Sequence, residues 1–265
     1  MSPAERIFEM LRVVNSDNPN FPATIFYNEG WLLRLVLDWF SRRDDLGDFP
    51  LQFAQGARWF SEALLPSQFL ARYQRDHLAE GYTHADGVVG HVTIGTGALA
   101  NTTLADGASQ FLVTEAKLFS PLSAGVTHAR DFDQAARNVA CIAEVLSRAD
   151  RHPRQLASLG FFVLAPTEQI EGRKLFQSLL SQDSIREKVS RRVSQFAGSP
   201  DEEKKNRWLR DWFEPTLDRI KLNSLAWEEI INVIRGKDAE FGPELSTFYD
   251  QCLQFNRIQE PERTQ

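Results

Sequence analysis

Three ionisable residues in the first half of the chain have the types and spacing that metal-dependent chemistry requires. Glu115 and Lys117 alternate along the apolar run of residues 110–118, a pattern that is typical of a strand. Asp86 opens a shorter β-branched run, residues 88–94. If the two strands pair antiparallel, Asp86 and Glu115 converge with Lys117 beside them, because the start of one strand then lies next to the end of the other.

Two converging carboxylates suit a hard divalent cation such as Mg²⁺, which prefers oxygen ligands and keeps several waters. Such a metal can polarise a phosphodiester and lower the pKa of a bound water. Lys117 could orient that water or stabilise the charge that develops on the phosphate. The residues therefore predict metal-assisted hydrolysis, with Mg²⁺ as cofactor and Mn²⁺ as a substitute.

This arrangement resembles the PD-(D/E)XK nuclease superfamily over about residues 20–165. The resemblance implies that Asp86 and Glu115 bind the metal and that Lys117 assists the nucleophile. It also implies an acidic residue on an early core helix, which Glu29 matches as a further metal ligand. A polar residue on the helix after the lysine strand is expected as well, and Gln134 fits that catalytic role.

Two features depart from the family pattern. Ala85 stands where the motif often has proline, a replacement that the superfamily tolerates. The interval between Asp86 and Glu115 is towards the long end for the motif. Asp106, which lies between them in an Ala-Asp-Gly sequence typical of a turn, therefore remains an alternative metal ligand.

Each candidate residue also has a purely structural interpretation. Glu115 and Lys117 would form a surface ion pair at a strand end, and Asp86 would form a turn before glycine. Glu29 would lie in the first turn of a helix, where a negative charge suits the helix dipole, and Gln134 would be solvated. A Glu-x-Lys tripeptide has little weight by itself, and the surrounding order of strands and helices favours the catalytic interpretation.

The composition limits the class of protein. With 42% hydrophobic and 25% charged residues and no apolar run of the ~20 residues that a membrane span needs, we expect a cytoplasmic protein without a membrane partner. The distant Cys141 and Cys252 are expected to be reduced and buried. The net charge of −6 counts against a free-standing, non-specific nucleic-acid binder, whose affinity depends on neutralising phosphates.

The elements that must position the candidate residues form an α/β fold with a small mixed sheet flanked by helices, like the restriction-endonuclease core. Apolar periodicity predicts helices over residues 4–14, 29–40, 51–65, 67–78 and 131–149, and strands over 88–94, 110–118 and 159–165. Residues 95–107 are expected to form a loop. The strand–helix–strand passage over 111–165 predicts a parallel crossover.

The C-terminal part is predicted to be helical over residues 169–180, 184–196, 201–212 and 224–235, with a disordered tail from 259. The predicted division is a nuclease-like core with N-terminal helices, residues 1–168, and a helical extension packed on it, residues 169–265. Two of these helices carry basic residues that are expected either to be solvated or to contact phosphate, namely Arg186, Lys188, Arg191 and Arg192, and Lys204, Lys205, Arg207 and Arg210.

These observations predict a Mg²⁺-dependent endonuclease that hydrolyses DNA without sequence specificity, with RNA as an alternative substrate. The acidic charge and the helical extension predict a protein partner or a homo-oligomer that controls it. The family resemblance favours a role in a bacterial antiviral defence or restriction system. The alternative from another class is a non-catalytic interaction module on the same fold, which would bind a partner protein through its aromatic-rich helices.

Overall fold

A five-stranded mixed sheet lies at the centre of the computed structural model, which describes residues 1–14, 16, 19–96, 101–125 and 129–257. The strands follow one another across the sheet in the order β1 (Arg58–Leu65), β2 (Thr83–Gly90), β5 (Gln110–Ala116), β6 (Ser158–Ala165) and β7 (Lys221–Ala226). A separate ribbon pairs β3 (Val92–Ile94) with β4 (Thr102–Leu104).

Antiparallel and parallel pairing meet at β5. The pairs β1–β2 and β2–β5 are antiparallel, whereas β5–β6 and β6–β7 are parallel. Helix α3 (Gln134–Arg148) connects β5 to β6, which confirms the predicted parallel crossover. All seven residues of β5 are buried, so its polar residues Thr114 and Glu115 are enclosed by the fold.

Helices cover both faces of the sheet, which confirms the predicted α/β class. One face shares a hydrophobic core with α3, α4 (Gln182–Ser194), α5 (Glu202–Trp208) and α6 (Glu214–Arg219). The other face shares a second core with α2 (Glu29–Phe40), α7 (Trp227–Lys237) and α8 (Phe241–Asn256). Helix α1 (Pro3–Arg12) precedes these helices. Among the described residues, no helix combines the length and the apolar character that a membrane span requires.

Two of the helices predicted before β2 are wrong. Residues 51–65 form turns followed by β1, whose last three residues are buried; in a short apolar run, a buried strand and a buried helix look alike in sequence. Residues 67–78 form turns as well. The backbone amides of Arg72 and Leu78 donate to the Asp76 carboxylate, 3.3 and 3.0 Å away, and such local bonds compete with a helix.

The segment predicted as a helical extension supplies the fifth strand. Residues 221–226 form β7, and the helix predicted over 224–235 begins only at Trp227. Residues 169–180 form a π turn, Glu168–Gly172, and further turns in place of the predicted helix. The sheet therefore takes strands from both sides of the predicted boundary after residue 168.

Three smaller predictions have mixed outcomes. The strand predicted over 88–94 is divided at His91 into β2 and β3, and the predicted loop 95–107 includes β4. Residues 97–100 of that loop and the tail from 259 lie outside the described residues. Cys141 and Cys252 are both buried and form no disulfide, as predicted.

Helix α4 packs on the core through a buried arginine. The guanidinium of Arg192 lies over the rings of Phe69 and Phe196, with 4.8 and 5.4 Å to their centroids. Its Nε is 3.8 Å from Glu80 Oε1, and its Nη2 donates to the carbonyl of Leu78. Burial raises the pKa of Glu80 to about 7, although the charge of Arg192 opposes that shift. The pair is therefore held away from water.

Other basic residues of α4 also pair with carboxylates. The pairs are Arg186 with Glu214, Lys188 with Asp133 and Arg191 with Asp131. On α5, Lys205 is buried and Arg207 pairs with Glu203. The predicted solvated face holds for Arg191 and Arg207, whereas Lys188, Arg192 and Lys205 are largely buried.

We expect Arg192→Leu to lower the free energy of unfolding by about 3–5 kcal/mol, because it leaves Glu80 buried without its cation. The loss should be larger at pH 8 than at pH 6, since protonation of Glu80 removes the uncompensated charge. Urea denaturation followed by tryptophan fluorescence measures it. Arg207→Leu is the control, because its pair with Glu203 is exposed and contributes under about 1 kcal/mol. Equal losses in both variants would contradict a buried ion pair.

Candidate active site

Strands β2 and β5 separate at Asp86. Their antiparallel ladder ends at the pair Gly87–Thr114, and the same register would next pair Asp86 with Glu115. Instead, the Asp86 side chain enters the gap, and its Oδ2 accepts a hydrogen bond of 2.8 Å from the backbone N–H of Ala116. The carboxylate thereby takes the place of a strand carbonyl and lies next to Glu115.

Gly87 allows helix α2 to pack against this point. A Cβ at residue 87 would lie 2.5 Å from Thr114 Oγ1 and 2.9 Å from Leu37 Cδ1, closer than any side chain tolerates. The Thr114 hydroxyl also donates to the Gly87 carbonyl at 3.2 Å. Asp86 and Gly87 belong to β2, so the interpretation of this dipeptide as a turn is wrong.

Glu115 is the buried carboxylate of the group, with 0% exposure. Its Oε1 accepts a hydrogen bond of 2.9 Å from Asn138 Nδ2. Its Oε2 lies 3.5 Å from Lys117 Nζ and has no hydrogen-bond partner among the described residues. Burial, and to a smaller extent the negative charge of Asp86, raise the pKa of Glu115 to about 8, while the charge of Lys117 opposes this shift. An ionised Glu115 therefore needs more positive charge than Lys117 supplies, which is what a divalent cation provides.

Lys117 continues β5 beyond its last strand residue. Its backbone N–H donates to the carbonyl of Leu164 at 2.8 Å, and its own carbonyl accepts a hydrogen bond of 3.0 Å from Trp227 Nε1. The side chain is 13% exposed. Since Glu115 is fully buried and Lys117 nearly so, the interpretation of the two residues as a surface ion pair is wrong.

Asn138 is a site residue that sequence reasoning missed. It lies in the second turn of α3, fully buried, and its Nδ2 donates to both Glu115 Oε1 and the carbonyl of Gln134. Both partners are acceptors, which fixes the orientation of the amide. Its Oδ1 is buried, again without a partner in the described part of the chain. The available signal was an amide on a helix face that Val139 and Ile142 otherwise make apolar.

Gln134 begins α3, and its side chain contacts the loop that precedes the helix. The Oε1 of Gln134 accepts a hydrogen bond of 3.2 Å from the backbone N–H of Ser123, and the backbone N–H of Gln134 donates to the Ser123 carbonyl. Arg137 Nη2 donates to the Ser123 hydroxyl at 3.0 Å. Gln134 therefore fixes the loop, and it is linked to Glu115 through its backbone carbonyl and Asn138.

Asp106, the alternative ligand, is exposed in a turn after β4. That turn is bonded to His91 through the N–H of Ala105, so it lies at the opposite end of the β2–β5 ladder from Asp86. The structure therefore brings Asp86, and not Asp106, to Glu115.

Glu29, the expected third ligand, does not join the pair. It occupies the first turn of α2, after the N-cap Asn28. Glu29 lies close enough to Cys252 of α8 to affect its thiol. Burial, and to a smaller extent the charge of Glu29, raise the pKa of that thiol to about 12. Within the described residues, no three His, Cys, Asp or Glu side chains are grouped to hold a metal ion. Two carboxylates still fit Mg²⁺, which binds through one or two carboxylates and keeps several waters.

The chain matches no protein-family model, no curated protein and no solved structure. The interpretation of this group as catalytic therefore depends on the contacts themselves. They consist of two carboxylates that meet where two strands separate, a lysine 3.5 Å from one of them, and a buried amide that orients the same carboxylate.

We expect Glu115→Gln to raise the Tm of the metal-free protein by about 2–4 °C at pH 8 and to change it little at pH 5. The pKa of Glu115 is raised by folding, so the native protein loses stability as pH increases from the carboxyl's unfolded value towards about 8. Glutamine does not titrate and keeps an acceptor for Asn138. Calorimetry in a chelator at both pH values measures the difference. The same change in Tm at both pH values would contradict the raised pKa.

Proposed function

We propose that the protein is a metal-dependent nuclease that hydrolyses DNA phosphodiester bonds, with Asp86 and Glu115 as metal ligands and Lys117 at the nucleophile. The observation that carries the proposal is the Oε2 atom of Glu115, which is buried, accepts no hydrogen bond within the described part of the chain and lies 3.5 Å from Lys117 Nζ, while the charge of Asp86 opposes ionisation of Glu115. A buried carboxylate oxygen in this state is costly unless a cation or proton compensates it.

Each residue of the group has a distinct role in the proposed reaction. The bound metal would supply a polarised phosphate oxygen and a water of lowered pKa. Asp86 is oriented by the N–H of Ala116, and Glu115 by the amide of Asn138. Lys117 Nζ lies 3.5 Å from Glu115 Oε2, where it can donate a hydrogen bond to the attacking water or to the phosphate.

The alternative function, a non-catalytic interaction module, is favoured by a different observation. None of the ten residues of α1 is buried, and its apolar residues Ile7, Phe8 and Met10 are exposed. Such a helix is suited to binding a partner protein or a second copy of the chain. A protein partner is compatible with both functions, and metal binding distinguishes them. DNA as substrate, a cytoplasmic location and a role in defence remain predictions from the sequence.

Calorimetric titration with Mn²⁺ tests the metal site. We expect the native protein to bind Mn²⁺, and Asp86→Ala and Glu115→Gln each to weaken binding at least about 10-fold. Asp106→Ala is the matched control, because this exposed aspartate lies away from the pair. Unchanged affinity in Asp86→Ala and Glu115→Gln would reject the site, and the absence of any Mn²⁺ binding would favour the interaction module.

Cleavage of linear DNA, closed circular DNA and RNA in Mg²⁺ or Mn²⁺ tests the reaction. We expect Lys117→Ala to lower the rate by about 10²–10³-fold, the loss typical when a group that stabilises transition-state charge is removed. Lys221→Ala is the control, since Lys221 is exposed at the opposite, amino end of the parallel strands. Cutting of closed circles would identify an endonuclease. Mn²⁺ binding with no cleavage of any of the three substrates would count against the proposed nuclease.

A further inference from the structure

The first two residues of α7 hold the segments that follow two central strands. Trp227 Nε1 donates to the carbonyl of Lys117, just after β5, at 3.0 Å. Glu228 Oε2 accepts hydrogen bonds of 2.9 Å from both the backbone N–H and the hydroxyl of Thr167, just after β6. The start of α7 therefore connects the carboxyl ends of β5 and β6, the edge of the sheet where Lys117 lies.

Helix α8 stabilises this connection through Tyr249. The Tyr249 hydroxyl donates to Glu228 Oε1 at 2.7 Å, so both oxygens of that carboxylate are engaged. Trp227 itself is fully buried in the core that α2, α7 and α8 share. The indole N–H is thus held in place by packing and by neighbours, and it cannot turn away from the Lys117 carbonyl without disturbing that core.

We propose that Trp227 is a positioning residue for Lys117. The backbone of Lys117 is fixed by one bond on each side, to Leu164 and to Trp227. Loss of the indole bond frees the peptide unit after Lys117, and the lysine side chain starts from that backbone. The 3.5 Å separation of Lys117 Nζ from Glu115 then depends on a residue far along the chain. The effect of Trp227 on turnover rests on the proposed nuclease function, whereas its positioning of Lys117 does not.

A second tryptophan provides a matched control for the indole bond. Trp39 Nε1 donates to Asp238 Oδ2 at 2.9 Å. This bond joins α2 to the residue that follows the C-terminus of α7. Trp39 is also buried in the same core, with 7% exposure. Replacing Trp39 by Phe therefore removes an indole hydrogen bond at the other end of α7, away from Lys117, although its acceptor is a carboxylate and not a backbone carbonyl.

The kinetic test compares Trp227→Phe with Trp39→Phe. We expect Trp227→Phe to lower kcat at least about 10-fold, because misplacing a catalytic group by about 1 Å can cost 10²-fold, while KM and Mn²⁺ affinity stay within about 2-fold. Trp39→Phe should change neither kcat nor affinity. Equal kcat in the two variants, or a loss of Mn²⁺ affinity together with kcat in Trp227→Phe, would overturn the positioning role.

A spectroscopic test gives an answer even if the protein cleaves nothing. Lysines are labelled by reductive ¹³C-methylation, and the Lys117 signal is identified by its absence in Lys117→Arg. We expect this NMR signal to move in Trp227→Phe and to stay unchanged in Trp39→Phe. A moved signal without nuclease activity in the native protein would reject the function and keep the positioning role, whereas an unmoved signal would reject the positioning role.

Should Trp227→Phe fail to fold, benzothienylalanine at residue 227 replaces it, since its sulfur removes the N–H while the bicyclic ring keeps its shape. The same displacement of the Lys117 signal is expected. An unmoved signal in this folded variant would overturn the proposal.

Discussion

The burial of the Glu115 carboxylate is the constraint on which the site depends. Helices on both faces enclose β5, so water cannot compensate the charge, and the compensation must come from neighbouring side chains or a bound cation. Asn138 and Lys117 each supply part of it, while Asp86 adds charge of the same sign. The same enclosure that makes the carboxylate costly strengthens its attraction to a bound cation, because electrostatic effects are stronger there than in water.

The sequence allowed the centre of the site to be predicted because its signals are local. Strand alternation placed Glu115 and Lys117 together, and antiparallel pairing brought Asp86 beside them. The strands β1 and β7 were missed, since short apolar or amphipathic runs do not distinguish strand from helix. Tertiary contacts decided the remaining residues. The apolar face of α3 places Asn138 towards the sheet, but its contact with Glu115 depends on how α3 packs against β5.

The charge distribution leaves helices α4 and α5 with little unpaired positive charge. The basic side chains of α4 are paired with carboxylates, and the basic residues of α5 are buried or paired in part. Paired surface charges attract phosphate weakly, because the local field is close to neutral. A nucleic acid would then be held by the metal, by Lys117 or by a second protein. The exposed apolar residues of α1 are suited to contact with such a protein.

The connection between α7 and the end of β5 has a consequence for biosynthesis. Domains begin to form from the N-terminal side while the chain is still being made. Asp86, Glu115 and Asn138 are translated well before β7, Trp227 and the α8 residue Tyr249 that supports the start of α7. A nascent chain can therefore bring the two carboxylates together while Lys117 still lacks one of its two backbone anchors. The complete geometry therefore forms only after α7 and α8 have been translated, and proteolytic loss of α7 would remove it without cutting a residue of the site.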